Sequence, residues 1–545
     1  VLPFAAVRNY PHVHDDHVVR GVGSLAVDSR VDWPTLLTGD FFGTFERPRG
    51  HTIFWRPVVL ASFRMERLLA GDSWAGYVWL GHVLTVLCHL GASLGLWRLL
   101  RVLGMGGPSA LFAAALFALH PIHVESVAWA SGRTDSLPTA LTWGAAALWI
   151  GRRGSALTTG VATLAFLAAL LSKEPAVLVV GLAVLLARCV GMDWRRALTA
   201  PLLALAAALV LRAMAFGLVP EVSTEGYMGP ERTDQRWWTW ASIVPDLLRF
   251  SVWPGPATPI HPVATALGWS AAGVIPGLAA LVLVAAGALA AWSRRNGPLV
   301  LATGLALGTL LMLAPWVRFP TGFEEVAGPL YDRYLYAMAA APGILICCWL
   351  ARWLDQRPRQ VLVAVVLCGL LLGPVTAGRA RMWESEQSFA RAGLAVAPGS
   401  ANMWTQLGSA LLEELRQSGE RDVGSEALAS FEQALKLDGS HRFAALNSFI
   451  TLALLGRDAE ARLVAGQLLV ERPTDPGVLH NVAGWHASRG RYDQAAQLYE
   501  RELMGGAALP GAAEALQACV EALAVLEPGA ASQADADSTQ RRPGG

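Results

Sequence analysis

From Trp74 to Trp97 the chain runs through an almost uninterrupted apolar stretch, YVWLGHVLTVLCHLGASLGLW, and ends it on Arg98 and Arg101. A bilayer core about 30 Å thick is crossed by a helix of roughly 20 apolar residues, so this stretch is long enough to span. Further apolar stretches follow at about 108–120, 137–150, 157–171, 175–188, 198–216, 267–292, 298–316, 334–351 and 361–376, which makes ten. Inside hydrocarbon every backbone N–H and C=O must be satisfied within the protein, and consecutive helices are the simplest way to do it. The composition agrees: 54% of the 545 residues are hydrophobic, 16% are charged, and the mean hydropathy is +0.40. The predicted class is all-α, a polytopic membrane bundle. The net charge of +1, with no basic block, excludes a nucleic-acid partner.

Arginines mark one side of the bundle. Arg98 and Arg101, Arg152 and Arg153, Arg188 with Arg195 and Arg196, Arg294 and Arg295, and Arg352, Arg357 and Arg359 fall on alternate loops, which the positive-inside rule makes cytoplasmic. The opposite, non-cytoplasmic face then collects the unusual polar residues: Asp15 and Asp16, the segment after His120, the turn at Lys173, the long loop 217–262, and the segment at Tyr331. A first spanning helix is expected to precede or to be truncated at residue 1. None of the six cysteines has CxxC spacing, so no zinc or redox framework is expected. Trp237, Trp238 and Trp240 read as an interfacial aromatic anchor.

After residue 380 the chain turns polar. Ala427, Ala461 and Ala495 recur every 34 residues (461 − 427 = 34; 495 − 461 = 34), the period of tetratricopeptide repeats. Phe431, Ala465 and Tyr499 occupy a second-helix position, and Gly456 and Gly490 the turn. The predicted organisation is a membrane domain over 1–380, a soluble repeat α-solenoid over 381–527 and a disordered tail over 528–545.

Ionisable residues at membrane depth are costly, and those on the polar face are the candidate site. Asp15 and Asp16 are adjacent carboxylates among His12, His14 and His17, a setting that suits a general base or a metal. The histidine spacing fits no zinc pattern, and the common face shared with the other candidates favours the base. Arg133 and Arg333, then Arg56 and Lys173, are candidates for a phosphate, since guanidinium groups bind it through two parallel hydrogen bonds. Glu125 and His123 are expected to orient sugar hydroxyls or to hold Arg133, with Asp135 beside them. The structural alternatives are an interfacial role for His120 and His123, and pairing of Arg56 and Arg333 with Asp40 and Asp332. No cofactor is called for, and a divalent metal stays open.

The segments HPIHVESVAWASGRTDSL (120–137), DFFGT (40–44), WRP (55–57), SKEP (172–175) and DRYLY (332–336), with the early acidic pair, occur in an order that resembles the transmembrane-and-tetratricopeptide-repeat O-mannosyltransferases. The resemblance covers nearly the whole chain and implies the GT-C glycosyltransferase fold. It also implies a polyprenyl-phosphate sugar donor, transfer of mannose with inversion to Ser or Thr hydroxyls of a protein presented by the repeats, and Asp15 rather than Asp16 as base. One departure from the family pattern is that His14 and His17 flank the acidic pair. A bacterial plasma membrane is the expected location, with site and repeats on the non-cytoplasmic side. Two other readings stay open at this point: a non-catalytic membrane scaffold whose repeats recruit partners, and a GT-C enzyme with a lipid or glycan acceptor.

Overall fold

The computed structural model describes residues 2–11, 13, 16–21, 23–43, 54–216, 233–263, 266, 268–313, 327–506, 508–509 and 511–526. His12, His14, Asp15, the side chain of His17 and the tail from 528 lie outside the described residues. The chain divides into two compact units, Val1–Ala397 and Pro398–Gly545.

In the first unit each of the ten apolar stretches contains a helix: Trp74–Val102, Gly107–Leu119, Arg133–Gly151, Ala156–Leu170, Ala176–Cys189, Trp194–Phe216, Val274–Ser293, Gly297–Leu313, Ala340–Asp355 and Pro358–Ala380. Not all have the dimensions of a full crossing. Among the described residues five helical segments are long and apolar enough, and a sixth if Gly107–Leu119 is taken with Pro121–Ala128, to which it bends by 46°. Pro121 lacks an amide hydrogen to continue the ladder, and His120 caps the new start by accepting from the Ile122 amide through Nδ1 at 3.2 Å. Ala156–Leu170, Ala176–Cys189 and Gly297–Leu313 are apolar but have 15, 14 and 17 residues. At 1.5 Å per residue these fall short of a 30 Å core. Hydropathy read along the sequence does not separate such helices from full spans. This unit is an integral membrane bundle by length and apolarity.

Close approach of small residues draws the central helices together. A Cβ on Gly95 would lie 3.0 Å from the Gly144 backbone nitrogen, and one on Gly91 3.4 Å from Ala140 Cβ. Around that contact Leu96, Leu99, Phe117, Trp143, Trp149, Phe166 and Ile344 form one buried core. The outer helices keep apolar side chains on the surface, such as Leu283 and Leu370, exposed by 72% and 67%, as a lipid-facing helix does. Trp237 is exposed, while Trp240 is buried and donates to the Leu310 carbonyl at 2.8 Å. The unit also holds one short antiparallel strand pair, His261–Val263 with Ala327–Leu330, in which His261 is opposite Leu330 and Val263 opposite Ala327. The all-α class stands with that one exception among the described residues.

The chain leading to the acidic pair is firmly seated. Leu2–Asn9 is a 3-10 helix with Phe4 and Val7 buried. The Tyr10 carbonyl meets His82 Nε2 at 3.1 Å. At the other end of the unit the helix Glu386–Val396 is anchored through Phe389, whose ring meets Trp383 edge-on at 5.0 Å.

The second unit consists of the helical pairs Ala401–Ser418 with Arg421–Leu437, Arg442–Leu454 with Asp458–Glu471, and Pro476–Ser488 with Tyr492–Met504, followed by Ala512–Leu526. Ala427, Ala461 and Ala495 each sit on the second helix of a pair, fully buried. A small side chain suits a buried position on paired helices, which accords with the 34-residue repetition. Gly456 and Gly490 close their turns with φ of 74° and 72°, a conformation that favours glycine.

Candidate active site

A cavity of about 250 Å³ in the first unit is polar at one end and apolar at the other. The polar end is lined by Arg56, Trp129, Asp135, Lys173, Glu174 and Arg333. The other end is mostly apolar, lined by Leu178, Leu182, Gly304, Leu305, Gly308 and Met312 from the two short helices Ala176–Cys189 and Gly297–Leu313, with Thr139, Thr142 and Thr309 among them. Gly304 lets these helices approach: a Cβ there would lie 2.6 Å from Leu182 Cδ1.

Each cation at the polar end is held by a carboxylate of its own. Pro57 starts the helix Pro57–Ala70, leaving Arg56 just before it. The Arg56 guanidinium lies between the rings of Phe41 and Phe54, at 4.9 and 4.8 Å, and donates to Glu174 Oε2 at 3.2 Å. Lys173, in the tight turn between two helices, pairs with Asp135 Oδ1. Burial pushes its amine below the ordinary range, and the Asp135 carboxylate pulls the other way. Arg333 gives its backbone amide to Glu125 Oε2 at 2.8 Å and its guanidinium to Glu125 Oε1, with the Tyr331 ring 3.9 Å from its guanidinium carbon. Three cations fixed beforehand around one space can receive a phosphate and the charge that grows on it as a leaving group, with little reorganisation.

The segment 129–135 distributes its side chains in two directions. Trp129, Thr134 and Asp135 line the cavity. Ser131 and Arg133 face elsewhere. Ser131 donates its amide, at 2.9 Å, and its hydroxyl to Oδ1 of the buried Asp16, which begins the short helix Asp16–Val19. Gly132 permits the fold-back, since a Cβ there would lie 2.7 Å from the Glu125 carbonyl.

Of the four expected phosphate-binding cations, Arg56, Lys173 and Arg333 are brought together and Arg133 is not. Arg133 is buried and pairs with Glu66 Oε1, and it donates to the Gly81 carbonyl at 2.7 Å and to Ser62 Oγ at 3.0 Å. The other oxygen of Glu66 takes Arg20 Nη1 at 2.9 Å, and the Phe63 ring lies under both guanidiniums. Sequence reasoning missed Arg20 and Glu66. Glu66 carried a signal, because it continues the buried face of Val59, Leu60 and Phe63 at helical spacing, where a charge needs a partner.

The other expected partners also differ. Glu125 holds Arg333 rather than Arg133. Arg56 pairs with Glu174 rather than Asp40. Asp332 accepts from Arg379 Nη2 at 2.7 Å and meets His261 Nε2 at 2.8 Å, so it is not the partner of Arg333. In the 3-10 turn Asp332–Leu335, adjacent side chains diverge and serve separate partners. His123 is buried among Phe117, Tyr336 and His89, with ring centroids 4.4, 4.6 and 4.9 Å away, and does not line the cavity. Tyr336 does, and its hydroxyl meets His89 Nδ1 at 2.7 Å. Because His89 Nε2 faces the Ala118 carbonyl at 3.2 Å, it carries the ring proton, and Tyr336 is the donor. Among the described residues no three His, Cys, Asp or Glu side chains group as a metal site.

Comparison with known proteins gives a consistent set of names. The protein O-mannosyl-transferase Tmtc2 of Drosophila melanogaster is 36% identical over 110 residues, 20% of this chain and 11% of that protein. The protein O-mannosyl-transferase F38B6.6 of Caenorhabditis elegans is 23% identical over 456 residues, 81% of this chain and 62% of that protein. Human protein O-mannosyl-transferase TMTC3 is 30% identical over 154 residues, 27% of this chain and 16% of that protein. The matched part is thus less than two thirds of each of these relatives. No family model matches. A solved tetratricopeptide-repeat domain of P58(IPK) aligns over 76% of this chain and 95% of that one, at 12% identity and a TM-score of 0.20, which is too low to carry an argument.

Proposed function

The chain is a relative of proteins named protein O-mannosyl-transferases, and from that premise we propose that it is a membrane glycosyltransferase. In this reading it moves a sugar, mannose, from a polyprenyl phosphate to Ser or Thr hydroxyls of protein, with inversion. The observation that carries the reading is the two-ended cavity, with three held cations at one end and an apolar lining at the other. A glycosyl phosphate on an isoprenoid chain has that polarity. Arg56, Lys173 and Arg333 bind the phosphate and stabilise its charge as the bond to the anomeric carbon breaks. The acceptor hydroxyl attacks from the opposite side, and its proton passes to a carboxylate of the acidic pair. Asp15 is assigned as that base, while Asp16 is tied to Ser131. A general base of this kind contributes roughly 10² to 10⁴-fold. Arg133 acts through the fold and not on the donor. In this reading the cavity and the repeats lie on the non-cytoplasmic side of a bacterial plasma membrane, a sidedness that the loop arginines support, and the repeats present the protein acceptor.

The test is transfer by the purified full-length protein in liposomes, with polyprenyl-phosphate mannose labelled in the sugar. Label is expected on protein, and Asp15→Asn with Asp16→Asn should abolish it while leaving expression intact. Full activity in the double variant sinks the mechanism. Label entering lipid or glycan instead of protein changes the acceptor, and failure of the wild-type protein to bind the donor leaves a scaffold.

A further inference from the structure

Two carboxylates at the cavity use only half of their hydrogen-bonding capacity. Asp135 is 9% exposed; its Oδ1 is taken by Lys173, while its Oδ2 is buried and has no hydrogen-bond partner. Glu174 repeats the arrangement, with Oε2 on Arg56 and Oε1 buried without a partner. Both side chains line the cavity, and they stand on either side of Lys173, one as its ion-pair partner and one as its chain neighbour. A buried carboxylate oxygen without a donor is costly, and a native fold retains one where something else brings the donor.

The chemistry of that donor is constrained. A phosphate presents only acceptors and negative charge, so it is repelled. A divalent cation would meet Lys173 and Arg56, which hold the other oxygen of each carboxylate. A neutral hydroxyl fits, and a sugar carries several. Lys173 and Arg56 also fix the orientation of the two carboxylates, so the free oxygens are set before the ligand arrives.

We infer that Asp135 Oδ2 and Glu174 Oε1 accept hydrogen bonds from hydroxyls of the donor sugar and decide which sugar is transferred. This rests on the reading of the cavity as a glycosyl-phosphate site. The five charged groups that line the cavity then divide by task, with the cations reading the phosphate and the two free carboxylate oxygens reading the sugar.

The experiment uses the full-length protein and a set of donors: polyprenyl-phosphate mannose, its single-position deoxy analogues, and polyprenyl phosphate without sugar. Binding and kcat/KM are both measured. In the wild-type protein, removal of the hydroxyl that meets a given carboxylate should lower kcat/KM by about tenfold or more, as for a hydrogen bond to a charged group. In Asp135→Asn that penalty should disappear at one ring position only, and in Glu174→Gln at a different one. Glu174 is the more exposed of the two, so Glu174→Gln provides the test even if Asp135→Asn fails to fold. An equal loss for every deoxy donor overturns the inference and leaves these carboxylates as holders of Lys173 and Arg56 alone. Loss of turnover with discrimination unchanged also overturns it. A wild-type protein that binds no polyprenyl-phosphate sugar overturns the glycosyltransferase reading itself.

Discussion

Glu66→Gln separates the buried charge network from the cavity. Glu66 and Arg20 are fully buried and Arg133 nearly so, and the one carboxylate serves both guanidiniums. The substitution keeps the shape and removes the charge, so that Arg133 loses its carboxylate and Arg20 keeps Asp16 as an acidic neighbour. Removal of one partner from a buried ion pair costs about 3–5 kcal/mol, because the remaining charge has lost its solvent and its counter-ion. The cation–π contacts with Phe63, at 4.7 and 5.0 Å, recover little of that. Domains are commonly stable by about 5–15 kcal/mol, so the loss is a large share of the total. The expected result is a clear drop in melting temperature of the detergent-purified full-length protein, with reduced yield, in the presence or absence of donor. Glu174→Gln, at a partly exposed pair, should melt close to wild type. If Glu66→Gln melts like the wild-type protein while sugar transfer is lost, the reasoning is refuted, and Arg133 belongs with the donor-binding cations.

Other consequences can be checked separately. Arg333→Lys keeps the charge but loses the planar fork that spans Glu125 and a phosphate; donor turnover should fall by about tenfold or more in kinetic assays, with little change in melting. Gly95→Val pushes a side chain against the Gly144 backbone, 3.0 Å from the new Cβ, and should cost about 1–3 kcal/mol, read as a lower melting temperature. In the repeats, Gly408→Ala places a Cβ 2.6 Å from the Phe431 ring, and limited proteolysis should cut the first helical pair faster. His441 caps the helix Arg442–Leu454 by accepting from the Ala444 amide through Nδ1, while Nε2 donates to Asn402 Oδ1 at 2.9 Å, so the neutral ring is the folded form. Burial holds its pKa below the usual 6.5. Its contribution is therefore complete above about pH 6.5 and declines as the pH falls toward the lowered folded value. Hydrogen exchange of that helix should accelerate over this window in the wild-type protein and not in His441→Asp, which caps without titrating in the same range.

Much of the architecture is local and was therefore legible. A span or a repeat is encoded in residues close together in the chain, so the ten helices and the positions of Ala427, Ala461 and Ala495 followed from apolar runs and a 34-residue period. The site was legible in part. Motif order marked Arg56, Asp135, Lys173 and Arg333, and these four meet at one cavity. Which charge neutralises which was not legible, because the partners lie far apart in sequence: Arg133 meets Glu66 across 67 residues, Arg56 meets Glu174 across 118, and Arg333 meets Glu125 across 208. Ion pairing inside a bundle is settled by where helix packing leaves each charge and by the penalty for leaving it alone there. Composition and spacing determined that this chain forms a helical membrane bundle followed by repeats. Tertiary packing alone decided that Arg133 braces the fold while Arg333, a similar side chain on the same predicted face, borders the cavity.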